Sequence, residues 1–446
     1  MRRSIRATIG AGALAAALAL TGCSSGSGSS ADSTSAGGGL GSAAHPVKLT
    51  MWGWAPNMDK IVDVYNQTHK NIQVTYVKVA SGDPAATKLL TAIKAGSGAP
   101  DLAQAEYQKI PTLVSSDALM DISNDVSPSL ESKFGAGIWS SVTLGSKAVY
   151  GIPQDSGPMM FYYRADVFKK LGLSAPTTWA EYAADAKKIH QANPNDYLGT
   201  FSSADAGQFA GLTQQAGASW WTTSGGAWGV DIDSAATKKV ASFWGGLVQS
   251  GVIDNEPQYT PAWNKALAEG TQVGWVSASW APGVLSGNAP KTAGKWKMAP
   301  LPQWDASKPA TGDWGGSAIA VTAQSKHEAA AVSFDTWLNT SKPAMKQLVD
   351  VGGLYPADSV DSAAALAKPN AFFSNQPDFY TLAASIAKTV QPFTYGPNVD
   401  VAYSSFNDEF GKATQTKTQA AFLTAVANMQ KTTVADLKSS GFTVSK

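Results

Sequence analysis

Residues 151–173 read GIPQDSGPMMFYYRADVFKKLGL. A Gly/Pro-rich turn leads into an apolar run over residues 159–163, which predicts a strand. Val167, Phe168 and Leu171 then recur at helical spacing, and Gly172 closes that short segment. Next, Thr178 and Glu181 stand three apart as a capping box. They predict a helix that buries Trp179, Tyr182, Ala183 and Ala186 on one face. The class of the chain, α/β, follows from strands alternating with helices in the folded body before this stretch.

The chain has 446 residues, enough for two or three domains. Hydrophobic residues make up 44%, as in a soluble globular body. Without Arg2, Arg3 and Arg6 the 34 Lys and Arg fall to 31 against 33 acidic residues, a net charge of about −2. That balance suggests neither a nucleic-acid partner nor a polybasic membrane patch. Beyond residue 6 the single arginine is Arg164. Arginine is the preferred fork for carboxylate and phosphate, so its scarcity weighs against an anionic ligand. Fifteen tryptophans, more than a core needs, point to aromatic binding surfaces.

At the start, residues 1–6 are positively charged and residues 7–20 form a short Ala/Leu-rich apolar stretch, the pattern of a signal peptide over residues 1–22. Leu20-Thr21-Gly22-Cys23 resembles the lipobox of bacterial lipoproteins. The resemblance implies that Cys23, the sole cysteine, becomes the first mature residue and carries the lipid. The Arg2-Arg3 pair has a poor twin-arginine context, which favours the ordinary secretory route. Residues 23–44 then form a Gly/Ser/Ala tether with a reach of roughly 25 Å. With one cysteine, no intramolecular disulfide can form.

The folded body begins near His45. Val47, Leu49 and Met51 alternate with polar residues as in a strand with one buried face; residues 61–65 are helical, residues 72–79 a second strand, residues 89–93 a helix closed by Gly96, and residues 99–102 open a third strand. The alternation argues for a mostly parallel sheet, whose ligands meet the loops at the carboxyl ends of strands, here residues 52–57 and 104–107. Residues 379–386, 399–410 and 419–437 are helical by pattern.

LTMWGW, IQVTYV, LLTAIKAGSGAPDL, the GIPQ…FYYRAD strand, Gly274–Trp280, APLP at residues 299–302, GGSAI at residues 315–319 and GGLYPA at residues 352–357 follow one another in the order found in bacterial extracellular solute-binding proteins (family 1). The chain resembles that family, which serves ABC importers of sugars and oligosaccharides, over roughly residues 45–440. The resemblance implies a two-lobe, periplasmic-binding-protein-like fold of type II, with lobes joined by crossover hinge strands. Lobe 1 is expected at residues 45–155 and 315–358, and lobe 2 at residues 156–314 and 359–446. It further implies a monomeric receptor, held at the cell membrane by the Cys23 lipid, that hands cargo to membrane permease subunits.

Within that frame Trp54, in a Gly/Pro loop after a strand, is a candidate stacking platform for a sugar ring. Trp280, at a strand's end, resembles the family's ligand-stacking position; Trp314 follows as the residue before the Gly315-Gly316 crossover, and Trp221 as the cleft member of the Trp220-Trp221 pair. Hydroxyls need polar partners for orientation. By family analogy these are Asn57, Gln104, Glu106, Asp155, Asp205 and Gln208, with Tyr355 and Tyr395 closing the far side. Asp313 stands as a ligand acceptor or a turn residue.

Catalysis finds little support. His45, His69, His190 and His327 lack metal-ligand spacing, and no phosphate loop or dinucleotide fingerprint occurs, so no metal or cofactor is implied. Capture of a neutral sugar or oligosaccharide for import is the expected function, not an enzymatic one. The alternatives are capture of another solute (a polyamine, quaternary amine or glycerol phosphate) and a secreted glycosidase, whose paired carboxylates the sequence alone leaves open.

Overall fold

In the computed structural model, residues 39–445 apart from Gly225 are described. The signal segment, Cys23 and the tether through residue 38 lie outside these residues. Among the described residues there are nine strands: β1 (Val47–Gly53), β2 (Ile72–Lys78), β3 (Leu102–Glu106), β4 (Ile152–Arg164), β5 (Trp221–Ser224), β6 (Ala227–Val230), β7 (Gly274–Ala278), β8 (Trp296–Pro300) and β9 (Asp313–Val321). β5 and β6 form a hairpin, and the other seven form one sheet in the order β2-β1-β3-β9-β4-β7, with β8 also on β4.

The parallel expectation holds only for the opening strands. β1 pairs in parallel with β2 and β3, whereas β3–β9, β4–β9, β4–β7 and β4–β8 are antiparallel. The helical crossovers before residue 106 keep early strands parallel. β9 then returns from far along the chain and inserts between β3 and β4, a long-range pairing that local alternation does not encode.

β4 is the opening stretch of the sequence, and it changes partners along its length. Residues 152–158 lie on β9, and residues 159–164 lie between β7 and β8. The register shifts between Pro153 and Asp155 and again between Ser156 and Pro158. At this crossing the backbones nearly touch. A Cβ on Gly157 would stand 2.3 Å from the Trp314 carbonyl oxygen, and one on Gly316, whose φ is +88°, 2.8 Å from the Tyr107 ring. Glycine is the residue that permits both.

Two main cores flank the crossing. Leu49, Met51, Ile61, Tyr65, Leu102, Ile319 and Phe334 are buried together in one, and a smaller cluster with Ile110, Ala318 and Ala320 covers the opposite sheet face. Alternate residues of β9 therefore point to opposite sides, as a strand covered on both faces requires. The other core holds residues 159–162, Trp179, Tyr182, Trp244, Trp275, Phe406 and Phe422. The capping box forms as expected: Thr178 Oγ1 accepts from Glu181 N at 3.2 Å, and the helix Trp179–Ala192 buries Trp179, Tyr182, Ala186 and Ile189.

Tryptophan abundance turns out to be largely a core property. Trp179, Trp220, Trp221, Trp244, Trp263, Trp275 and Trp296 are all fully buried. Most have their indole N–H satisfied, as in Trp179 to Gln215 Oε1 (3.0 Å) and Trp263 to Thr200 Oγ1 (3.1 Å). A buried indole is stable when its one donor finds an acceptor.

Candidate ligand-binding cleft

A chain of hydrogen bonds ties the ends of β1 and β3 to the crossing strands. Gln104 Oε1 accepts from Trp54 N (2.9 Å) and Ala55 N (3.2 Å), while its amide donates to Ser317 Oγ (2.9 Å). The Ser317 hydroxyl donates in turn to Asp155 Oδ1 (2.7 Å), and Ser317 N donates to the same oxygen (2.8 Å). Each member is held by the next, so the Trp54 loop is positioned by the hinge strands themselves. Burial pushes the Asp155 carboxyl up to about 6, against the lowering effect of the Ser317 bonds.

The facing side is built from the second core. Asp205 caps the helix Ala206–Gln215, its Oδ1 accepting from Gln208 N (3.2 Å) and from Trp314 Nε1 (3.1 Å). Trp280 Nε1 donates to the Trp314 carbonyl at 2.8 Å, and the two rings meet edge to face at 4.9 Å. Behind them Trp275 lies 5.7 Å from Trp280 and 5.0 Å from Trp263, so the aromatic wall is anchored to the core.

Between the two sides lies a cavity of about 450 Å³, within the range of small-molecule sites. Trp54, Gln104, Glu106 and Asp155 line it from one side, and Asp205, Trp280 and Trp314 from the other, with the Gly315-Gly316 backbone between. Tyr395 and Tyr403 lie near it. Their hydroxyls are pushed up by burial first, then by neighbouring groups: the Asp313 and Glu106 carboxylates act on Tyr395, while the Tyr395 phenol and the Asp205, Glu106 and Asp400 carboxylates act on Tyr403. The Asp313 carboxyl is raised by burial to about 7, and its Oδ1 is buried with no hydrogen-bond donor. Carboxylates dominate this region; the nearby cation Lys109 is buried and paired with Asp400. Ionised carboxylates are acceptors only, suited to hydroxyl donors. Among the described residues, no three or more His, Cys, Asp or Glu side chains converge as metal ligands.

Seven of the twelve candidate residues thus come together: Trp54, Gln104, Glu106, Asp155, Asp205, Trp280 and Trp314. The others sit elsewhere. Asn57 has left-handed backbone (φ 55°) and donates to Val351 O at 2.9 Å, tying the Trp54 loop to the Gly352-Gly353 loop. Gln208 is buried and donates to Val276 O (2.8 Å), while its carbonyl accepts from Gln258 Nε2 (3.1 Å). Its place on the inner face of a helix turns it to the core. Trp221 is corrected outright: it is fully buried, with Nε1 on Asn398 Oδ1 at 3.3 Å. Tyr355 lines a separate cavity of about 790 Å³, because Leu354 takes the cleft side of that loop. Tyr395 is half-buried beside Tyr403, near the cleft but outside the lining of its cavity.

Sequence reading missed Ser317, Tyr259, Tyr403 and Lys109. Ser317 stood in the quoted GGSAI motif, unassigned. Tyr403 lies in a helix whose pattern is dominated by Ala402, Phe406 and Phe410, all buried. Lys109 meets Asp400 across 291 residues, which no local signal announces.

The family described as bacterial extracellular solute-binding protein matches residues 53–345. An arabinooligosaccharide-binding protein of Halalkalibacterium halodurans is 25% identical over 381 residues, covering 77% of this chain and 80% of that one. Among solved structures, the galacto-N-biose-/lacto-N-biose I-binding protein of an ABC transporter from Bifidobacterium longum, in complex with lacto-N-biose, superimposes with a TM-score of 0.80. It is 30% identical and covers 90% of this chain and 99% of that one. An ABC-transporter-associated binding protein from B. animalis subsp. lactis Bl-04, in complex with β-1,6-galactobiose, gives a TM-score of 0.80 at 29% identity, covering 90% and 100%.

Proposed function

The chain belongs to the bacterial extracellular solute-binding proteins, and on that premise we propose that it captures a neutral sugar or oligosaccharide in the cleft for import by an ABC transporter. The observation that carries the reading is the cavity itself. Trp54 on one side and Trp280 on the other offer aromatic faces, and Glu106, Asp155 and Asp205 offer acceptors for hydroxyls, with no arginine to select an anion. The resemblance to complexes with lacto-N-biose and β-1,6-galactobiose supports a short saccharide.

Two lobes, residues 45–155 with 315–358 and residues 156–314 with 359–446, close over the cargo about the β4–β9 crossing. Contacts to the second lobe exist only when the cleft is shut, so the ligand shifts the population toward the closed form. A shift from 1:99 to 99:1 takes about 5.5 kcal/mol of differential affinity. Stacking on a few rings, at about 0.5–1.5 kcal/mol each, and several hydroxyl hydrogen bonds, at about 0.5–1.5 kcal/mol each, reach that figure. The closed receptor docks on membrane permease subunits, acts as a monomer anchored through lipidated Cys23, and releases its cargo chemically unchanged.

Titration calorimetry of the protein against lacto-N-biose, β-1,6-galactobiose, arabino-oligosaccharides, spermidine and choline tests this. Saturable one-to-one binding of a saccharide, recovered intact, is expected. Binding of an amine with silence across the saccharides would overturn the sugar reading, and hydrolysis of the saccharide would overturn the receptor reading.

A further inference from the structure

The cavity of about 790 Å³ beside Tyr355 is larger than that of the cleft, and only one pair of extended segments parts the two. Asp155 is bridged to Pro356, and Ser156 N donates to Tyr355 O at 3.1 Å. Neighbouring residues of an extended chain point to opposite sides. Asp155 and Leu354 therefore face the cleft, while Ser156 and Tyr355 face the second cavity.

The walls of this cavity belong to different cores. On one side Ile138, in the helix Ala136–Thr143, packs against the first core, and Ala357 is buried in it. On the other, the helix Phe379–Ala387 buries Phe379, Ala383 and Ile386 in the second core. That turns Tyr380, Ala384 and, one turn on, Lys388 to the cavity. A molecule filling the space touches both bodies.

Its chemistry differs from that of the cleft. Glu106, Asp155 and Asp205 line the cleft, whereas among the described residues no carboxylate lines this cavity. Asp358 and Asp361, close by in sequence, are engaged by Lys133. What remains is apolar surface, hydroxyls and one cation. Lys388 is exposed and, among the described residues, makes no salt bridge. Ser362 is 1% exposed, yet its Oγ has no hydrogen-bond partner. A buried hydroxyl left unpaired costs stability. In a cavity within the size range of ligand sites, it awaits an acceptor that the chain itself does not supply. The Tyr380 hydroxyl accepts from Asn370 Nδ2 (3.1 Å), which leaves its own proton to donate. Burial, and then the Tyr380 phenol, push the Tyr355 hydroxyl up to about 12, so it too stays a donor.

We infer that this cavity is a second binding site, for an amphipathic carboxylate. Its apolar body lies against Ile138 and the two tyrosine rings, and its carboxylate accepts from Ser362 in the attractive field of Lys388. The ligand spans both bodies at the separation at which Lys109 joins Asp400 beside the cleft. It therefore favours the closed form proposed above and strengthens saccharide capture, and the saccharide strengthens its own binding in return. That coupling rests on the saccharide reading; the site itself does not.

Hexanoate and benzoate are the probes, with hexanamide and benzamide as uncharged counterparts. Calorimetry on the saccharide-free protein is expected to show saturable one-to-one binding of an acid, the matching amide being at least about tenfold weaker. Ser362→Ala and Lys388→Gln should each weaken the acid about threefold or more while Tm stays within about 2 °C, since neither side chain has a partner to lose. Ala384→Trp, which fills the space, should abolish binding. With the acid saturating, the Kd for lacto-N-biose or β-1,6-galactobiose should fall about fivefold or more. If neither acid binds, or acid and amide bind alike, the site is overturned. An acid indifferent to all three substitutions, or competed off by the saccharide, sits elsewhere and overturns it too. Binding that follows the substitutions with an unchanged saccharide Kd keeps the site and overturns the coupling. If it follows them and no saccharide binds at all, the saccharide reading fails and the coupling with it, while the site stands.

Discussion

Replacing Asp400 with asparagine tests whether the cleft has a latch. Lys109, in the turn after β3, pairs with Asp400 in the first turn of the helix Val399–Thr416, so the contact joins the first core to the second beside the cleft. Thr112 Oγ1 donates to Pro397 O (3.3 Å) alongside it, and Lys109 Nζ lies 5.9 Å from the Tyr403 ring centre. The Lys109 side chain is 4% exposed and that of Asp400 is 40%. A charge-assisted hydrogen bond contributes about 1.5–3 kcal/mol, and the half-open carboxylate is screened, which leaves about 1–2 kcal/mol. In the lobe closure proposed above, all of it is lost when the lobes part. Asp400→Asn is therefore expected to weaken saccharide binding by about 5- to 30-fold, mostly as faster dissociation. Calorimetry and stopped-flow dissociation at about 0.02 and 0.5 M salt provide the assay. The parent should lose affinity as salt rises, and the variant should show a flatter response. A Kd within twofold of the parent, with the same salt dependence, would refute the latch and leave the ion pair a bystander of closure.

Trp280 and Trp221 make a contrast. Trp280→Ala is expected to raise the Kd at least about tenfold, with an unliganded stability loss smaller than that of Trp221→Ala because the ring is only partly buried. Trp221→Ala, by removing a fully buried indole, should cost about 3–5 kcal/mol in urea unfolding and leave the affinity of the folded protein near parental. Two buried carboxylates, Asp155 in the cleft lining and Asp313 outside it, set a pH dependence. Burial raises Asp155 to about 6 and Asp313 to about 7, so the stability they contribute is full below about pH 4 and is lost as pH climbs through 6 and 7. Hydroxyl donors from a saccharide favour the ionised Asp155 carboxylate, so the ligand-induced rise in Tm should be larger at pH 8 than at pH 5, with proton release on binding near pH 6. Equal ligand shifts at both values would remove Asp155 from the site.

What was legible in the sequence was whatever a short window encodes. The β4 segment over residues 159–163, the Thr178 capping box and the strand-end position of Trp54 follow from local apolar pattern and turn chemistry, whereas residues 152–158, expected as a turn, and Gln104 and Glu106, expected in a loop, lie inside β4 and β3. The sheet's antiparallel half was not legible, because β9 reaches β3 and β4 only through contacts distant in sequence. Trp221 misled for a related reason. Its place after a turn resembles that of Trp54, yet the segment around Gly396 and Asn398 closes over it, and a Cβ on Gly396 would stand 2.2 Å from its ring. Gln208 looked like a loop donor and is instead a brace, since Asp205 begins the helix that turns it inward.

The braces matter as much as the lining. Gln104 acts on Trp54 through the loop backbone, and Gln208 acts on Trp275 and the Tyr259 turn through Gln258. One chain of hydrogen bonds runs from the first core to the hinge at Asp155, and the other stays inside the second core. Each core thus presents its aromatic face already fixed, so the closure proposed above need move only whole bodies about the β4–β9 crossing. Ordering costs at the moment of binding are then confined to the ligand and a few surface groups, and weak individual contacts suffice for capture. The same arrangement predicts where substitutions uncouple: a change in Gln208 should disturb Tyr259 and Trp280 together while leaving Trp54 in place.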